Sequence, residues 1–150
     1  MPIKRPPRKP ESLSRQTVGN VGMYYVCYRL SLLGWNAMPT SRNARGIDVL
    51  IYSQDGTVTH TVQVKTLSKS SPVPLGEGLS HLIAHWVIVC AGVAEGEPKC
   101  FVLTPVEVAQ LAHKGVKGSR ISFWLQPKDY MVPAYAEQWD RIGKGIRSDA

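Results

Sequence analysis

The sequence predicts one mixed α/β (α+β) domain, a central mixed sheet flanked by helices. Three observations carry this expectation. The chain has 150 residues and is 43% hydrophobic, one domain's worth of chain with enough apolar surface for a core. Residues 17–33 repeat apolar side chains at three- and four-residue steps, the helical period. Residues 58–67 alternate, and residues 85–93 are almost continuously apolar, as in strands buried on one face and on both.

In chain order, residues 17–33 (TVGNVGMYYVCYRLSLL) form the first helix. Val18, Val21, Tyr25, Tyr28 and Leu32 make one apolar stripe, and Val26, Leu30 and Leu33 a second, so the helix is expected to be well buried. Gly19 and Gly22 lie near the second stripe, where something must pack closely, and Gly34 stops the helix. Residues 35–39 and 47–52 are strands separated by a polar loop. Gln54-Asp55-Gly56-Thr57 is a hairpin turn with its Asp-Gly signal. In the strand over 58–67, Val58, His60, Val62, Val64 and Thr66 take one face; Thr59, Thr61, Gln63, Lys65 and Leu67 take the other. Residues 68–80 read as a Ser/Pro/Gly-rich loop, and 85–93 and 99–103 as strands. Thr104, Pro105 and Glu107 open a helix through Ala112 as N-cap, N1 and N3. Residues 121–125 form a last strand and 134–142 a closing helix with Trp139 and Ile142 inward.

Several function classes are excluded by composition. No apolar run approaches the roughly 20 residues of a membrane span. The basic, Pro-rich start (MPIKRPPRKPES) has no apolar segment of a secretory signal. Cys27, Cys90 and Cys100 are odd in number and widely spaced, against a disulfide scaffold or a structural zinc site and in favour of a cytoplasmic setting. The net charge is +7, and all of it lies in residues 1–47, which hold eight basic side chains against Glu11 alone. Such a block suits a polyanion, because neutralising phosphates releases condensed counterions. Residues 1–15 are therefore read as a flexible arm, 16–143 as the domain and 144–150 as a tail.

The most informative segments are Gly46-Ile47-Asp48-Val49 and Gln63-Val64-Lys65. Gln63 and Lys65 share a strand face, and the Asp-Gly hairpin makes the two strands antiparallel neighbours. Asp48 then falls level with Gln63, within a residue of register. An acid, an amide oxygen and an ammonium converge on one patch. Phosphodiester hydrolysis uses such a set: a carboxylate for a hard cation and a Lys to position water or offset charge. The same residues would equally serve as a half-buried Asp48–Lys65 ion pair without chemistry.

The order of helix, loop, (G/P)-x-D strand, hairpin and (E/Q)-x-K strand resembles the PD-(D/E)XK nuclease superfamily. Gly19-Asn20-Val21-Gly22, Leu32-Leu33-Gly34-Trp35, residues 43–48 (NARGID) and residues 62–66 (VQVKT) look like its small, single-domain prokaryotic members. Phe101-Val102-Leu103-Thr104-Pro105, Phe123-Trp124-Leu125, Tyr135 and Trp139-Asp140-Arg141-Ile142 extend the likeness over most of 17–143. The resemblance implies a restriction-endonuclease-like core and a metal-dependent nuclease acting on DNA with Mg²⁺ or Mn²⁺. It implies that Asp48, Gln63 and the Val64 carbonyl hold the metal and that Lys65 is the catalytic lysine. Two departures stand out. Gln63 replaces the usual Glu, as in Mrr-like members, and Met23 stands where members often carry a Glu in the first helix. A Met thioether is a poor ligand for Mg²⁺. These departures raise the alternative of a degenerate nuclease fold that binds nucleic acid or a protein partner.

Lys4, Arg5, Arg8, Lys9 and Arg15 of the arm, with Arg42 and Arg45 of the loop before Asp48, are the expected phosphate contacts. RNA remains open beside DNA, and a homodimer would supply two sites for two strands. Tyr24, Tyr25 and Tyr28 are expected to pack, and Trp35, Trp86, Trp124 and Trp139 to join the core. His81 and His85 have helical metal spacing without a third ligand and are read as structural; so are His60 and His113. The loop over 68–80 has the length of a lid or a DNA-contacting segment.

Overall fold

A computed structural model describes residues 12–41 and 45–146. The expected contacts Lys4, Arg5, Arg8, Lys9 and Arg42 lie outside the described residues. The first helix, α1, spans Arg15–Leu32. Arg15, read as part of the arm, is its first residue. Ser14 caps it, accepting from the Thr17 N–H at 3.2 Å. Gly34, at φ +90°, ends it in a left-handed conformation that a side chain would strain.

The strands are β1 (Asn36–Pro39), β2 (Val49–Tyr52), β3 (Thr59–Thr66), β4 (Val73–Gly76), β5 (Trp86–Ala91), β6 (Lys99–Leu103), β7 (His113–Lys117) and β8 (Arg120–Leu125). The helix α2 covers Pro105–Leu111 with the expected Thr104–Glu107 capping box. A short helix, α3, covers Pro127–Tyr130, and a 3₁₀ turn covers Trp139–Arg141. The fold is α+β. A mixed five-stranded sheet has the order β1-β2-β3-β5-β6, with β3 and β5 parallel and the other pairs antiparallel. A second sheet, β4-β8-β7, is antiparallel.

The alternation of β5 and β6 sorts the core into two layers. Ile88, Cys90, Cys100 and Val102 face α1, together with Val26, Leu30, Val49, Ile51 and Val62. Val87, Val89, Phe101 and Leu103 face the second sheet and meet Val73, Leu75, Leu125 and Tyr130. Both buried faces explain the unbroken apolar run in β5. Val26 and Leu30 are fully buried, each stabilising by about 1.5–3 kcal/mol relative to exposure.

Several expectations are corrected. Only one stripe of α1 is covered, that of Val18, Gly22, Val26 and Leu30; Val21, Tyr24, Tyr28 and Leu32 face outward. Gly22 is where the sheet comes close, since a Cβ there would overlap the Thr66 side chain. Gly19 has open space instead. The segment read as one loop over 68–80 contains β4, an edge strand that tolerates Pro74. Residues 113–117, unassigned in the sequence, pair with β8 as β7. The closing helix over 134–142 does not form. Its chain instead bonds along β6, with Val102 N–H to Tyr135 O at 2.9 Å and Glu137 N–H to Cys100 O at 2.8 Å. Trp139 and Ile142 are buried as expected, whereas Trp86 and Trp124 are only half-buried. The tail begins later than residue 144, because Gly145 bonds Leu33 and Gln54 through its backbone.

Candidate functional site

The Asp55-Gly56 turn fixes the register of β2 and β3, pairing Val49 with Val62. Asp48, one residue before β2, therefore stands opposite Gln63, and its N–H bonds Val62 O at 2.9 Å. Along β3, Val62, Val64 and Thr66 face α1, so Gln63 and Lys65 lie on the side away from it; Asp48, outside β2, lines the cleft on the α1 side.

Asp48 is held from three directions. Its Oδ2 accepts from the Val64 N–H at 2.7 Å. Its carbonyl accepts from Thr40 N–H at 2.9 Å, and Thr40 Oγ1 donates to Ile47 O at 2.6 Å. Thr40, at the end of β1, is a positioning residue that sequence reasoning passed over. Val62 and Val64 direct their backbone groups to the same edge of β3. Beyond the end of β2, the Val64 carbonyl therefore faces the space beside Asp48.

Gln63 is 6% exposed, and its Oε1 makes no hydrogen bond with the described residues. A buried acceptor without a donor is costly, at about 1–3 kcal/mol. Lys65 is half-buried. Burial pushes its ammonium pKa below the usual lysine range, and the Asp48 carboxylate offsets part of that shift. His81 lies in the same neighbourhood: burial lowers its pKa first, then the positive charges of Lys65 and Arg45, with a hydrogen bond to the Gly78 backbone opposing. Its segment sits directly on Gly46, where a Cβ would lie 2.5 Å from the His81 carbonyl oxygen. Residues 79–85 are not helical, so the helical spacing of His81 and His85 is not realised. His85 instead bonds Thr61 and stacks edge-on with His60. His113 pairs with Asp129 at 2.8 Å.

On the α1 side, a cleft of about 530 Å³ opens between the N-terminal half of α1 and the ends of β1 and β2. Asp48 and Val64 reach it from the sheet, Thr40 and Ser41 from the chain after β1, and Asn20, Met23 and Tyr24 from the helix. Met23 thus faces the Asp48 corner. Gln63 and Lys65 approach the corner from the other side of the sheet. Arg15 lines the cleft and Arg45 is exposed beside the corner.

The groups nearest Asp48 are of the donor type that a hard divalent cation takes. The Asp48 carboxylate, the unpartnered Gln63 carbonyl and the Val64 carbonyl are all oxygens. No group of three or more His, Cys, Asp or Glu suited to a metal comes together among the described residues. A cation here would keep several waters in its shell. No helix among the described residues is long and apolar enough to cross a membrane. Comparison with protein-family models, curated proteins and solved structures finds no match to the chain.

Proposed function

We propose that the chain is a metal-dependent nuclease of the PD-(D/E)XK type that hydrolyses DNA phosphodiester bonds at the Asp48–Gln63–Lys65 corner, in a cytoplasmic setting. The observation that carries this reading is the register. It sets a carboxylate level with a buried amide whose oxygen has no donor among the described residues, with an ammonium on the amide's face. A bound Mg²⁺ or Mn²⁺ would polarise the phosphate and lower the pKa of a coordinated water. Asp48, Gln63 Oε1 and the Val64 carbonyl would hold it. Lys65, partly desolvated, orients the attacking water and offsets charge on the phosphate. Arg45, with Arg42 and the basic arm, holds the substrate backbone.

The experiment is cleavage of plasmid, linear, single-stranded and branched DNA in Mg²⁺ and in Mn²⁺, with an EDTA control and the Asp48→Asn variant. Metal-dependent cleavage that Asp48→Asn loses supports the reading. A second reading, a non-catalytic fold that binds nucleic acid, draws on Met23, which brings no carboxylate to the cleft. It predicts salt-dependent binding without cleavage.

A further inference from the structure

The exposed tyrosines of α1 and the polar cleft beneath them are not used by the corner's chemistry. Tyr24 is 61% exposed and lines the cleft; Tyr28, one turn on, is 58% exposed and lies outside it, with its ring 6.2 Å from that of Tyr25. Tyr24 presents an apolar ring with a polar tip at a polar cleft, a combination enriched at recognition surfaces. Arg15, Asn20 and Thr40 give the cleft polar lining beside Met23, Pro39 and Val64. Gly19 adds no Cβ, and nothing lies within 4 Å of where one would be, which keeps the helix side of the cleft open. The cleft reaches Asp48 and Val64. Its volume of about 530 Å³ falls in the range of about 300–1,000 Å³ that encloses small ligands.

We infer that this cleft takes an unpaired nucleotide of single-stranded DNA, its base stacked on Tyr24 and its backbone running between Arg15 and Asp48. The inference rests on the proposed nuclease reading and names its substrate class. A base offers its π-face to a side chain only when it is unstacked, so a ring projecting into a phosphate-binding cleft selects single strands or flipped nucleotides over intact duplex. Arg15 meets the phosphate charge, and the Asn20 amide offers hydrogen bonds to sugar or base.

The test is fluorescence anisotropy of a labelled oligothymidylate of about 10 nucleotides and a blunt duplex of equal phosphate number, both in EDTA. The wild-type chain should bind the single strand more tightly. Tyr24→Ala should weaken single-strand binding about tenfold or more and leave duplex binding unchanged. Tyr24→Phe should restore it, because the ring and not the hydroxyl makes the stack. Tyr28→Ala, outside the cleft, should stay within about twofold of wild type. Equal single-strand binding by wild type and Tyr24→Ala overturns the inference, as do tighter binding of duplex and no binding of either probe. Because EDTA removes the cleavage reaction, binding and cleavage fail separately. Cleavage without the Tyr24 pattern leaves the nuclease reading standing and sinks this one. The pattern without cleavage in Mg²⁺ or Mn²⁺ sinks the nuclease reading alone.

Discussion

Asp48 Oδ2 accepts a 2.7 Å hydrogen bond from the Val64 N–H, so the carboxylate is tied to the middle of the Gln63-Val64-Lys65 tripeptide. A hydrogen bond to a charged partner is worth about 1.5–3 kcal/mol, and Asp48→Ala should lose about that much stability in denaturant melts. Asp48→Asn, which keeps an oxygen acceptor, should stay nearer to wild type. Both should lose cleavage. An Asp48→Asn enzyme that cuts at the wild-type rate would remove the carboxylate from the chemistry.

Gly22 and Gly19 should respond in opposite directions to the same substitution. Gly22→Ala drives a methyl into the Thr66 side chain, and overpacking of this kind costs about 1–3 kcal/mol. Gly19→Ala meets nothing within 4 Å and gains helix propensity, up to about 1 kcal/mol. Thermal unfolding of the two variants checks this; equal shifts would contradict the close approach of α1 to β3.

Glu137 ties three parts of the fold together. Its Oε1 accepts from Cys100 N–H at 2.9 Å, and its Oε2 from Trp139 Nε1 at 2.8 Å and Arg29 Nη1 at 3.2 Å. It does so at φ +54°, a conformation that side chains seldom adopt. Glu137→Ala should destabilise by about 2–3 kcal/mol, because it strands two part-buried donors. A change below about 0.5 kcal/mol in equilibrium unfolding would show that the network is dispensable.

Stability should fall as pH drops below 6.5, the ordinary histidine value. Burial holds the His60 pKa down, helped by His85; burial, then Lys65 and Arg45, do the same for His81. Both folded-state pKa values lie under the unfolded ones, so in this window the unfolded chain binds more protons and acid favours it. Glu107 acts lower. Although burial opposes it, hydrogen bonds from Thr104 and the Arg141 charge depress its pKa below 4.5, and its contribution is lost only as pH falls further. Melting temperatures at about pH 7.5 and about pH 5.5 read the histidine effect. The double substitution His60→Gln and His81→Gln should flatten it; an unchanged slope would assign it elsewhere.

The β2–β3 pairing was legible because an Asp-Gly turn set the register and a period-two pattern put Gln63 and Lys65 on one face; the side on which Asp48 opens was not, because Asp48 lies outside the regular strand. The burial of α1 was not. Two apolar stripes competed, and periodicity alone does not say which one meets the sheet; the glycine at Gly22, one turn before Val26, was the signal that pointed to the correct face. Residues 134–142 carry a helix-like pattern, but the edge of β6 offered backbone partners that bent the chain at Glu137. His113–Lys117 shows little alternation and contains Gly115, so only its pairing with β8 reveals a strand. The Tyr24 cleft and the approach of His81 both depend on contacts between distant segments, which spacing along the chain does not encode.

If the chain is the proposed nuclease, Lys65 works with Asp48 on a phosphodiester. The most direct measurement is the initial rate of DNA cleavage in Mn²⁺ by the wild type and by Lys65→Ala, after circular dichroism has shown both to be folded. Metal-dependent cleavage by the wild type is expected, with a loss of at least about a hundredfold in the variant, on the scale of a charge-stabilising group. Equal rates in the two proteins, or no cleavage by the wild type on any DNA form, would contradict this reading.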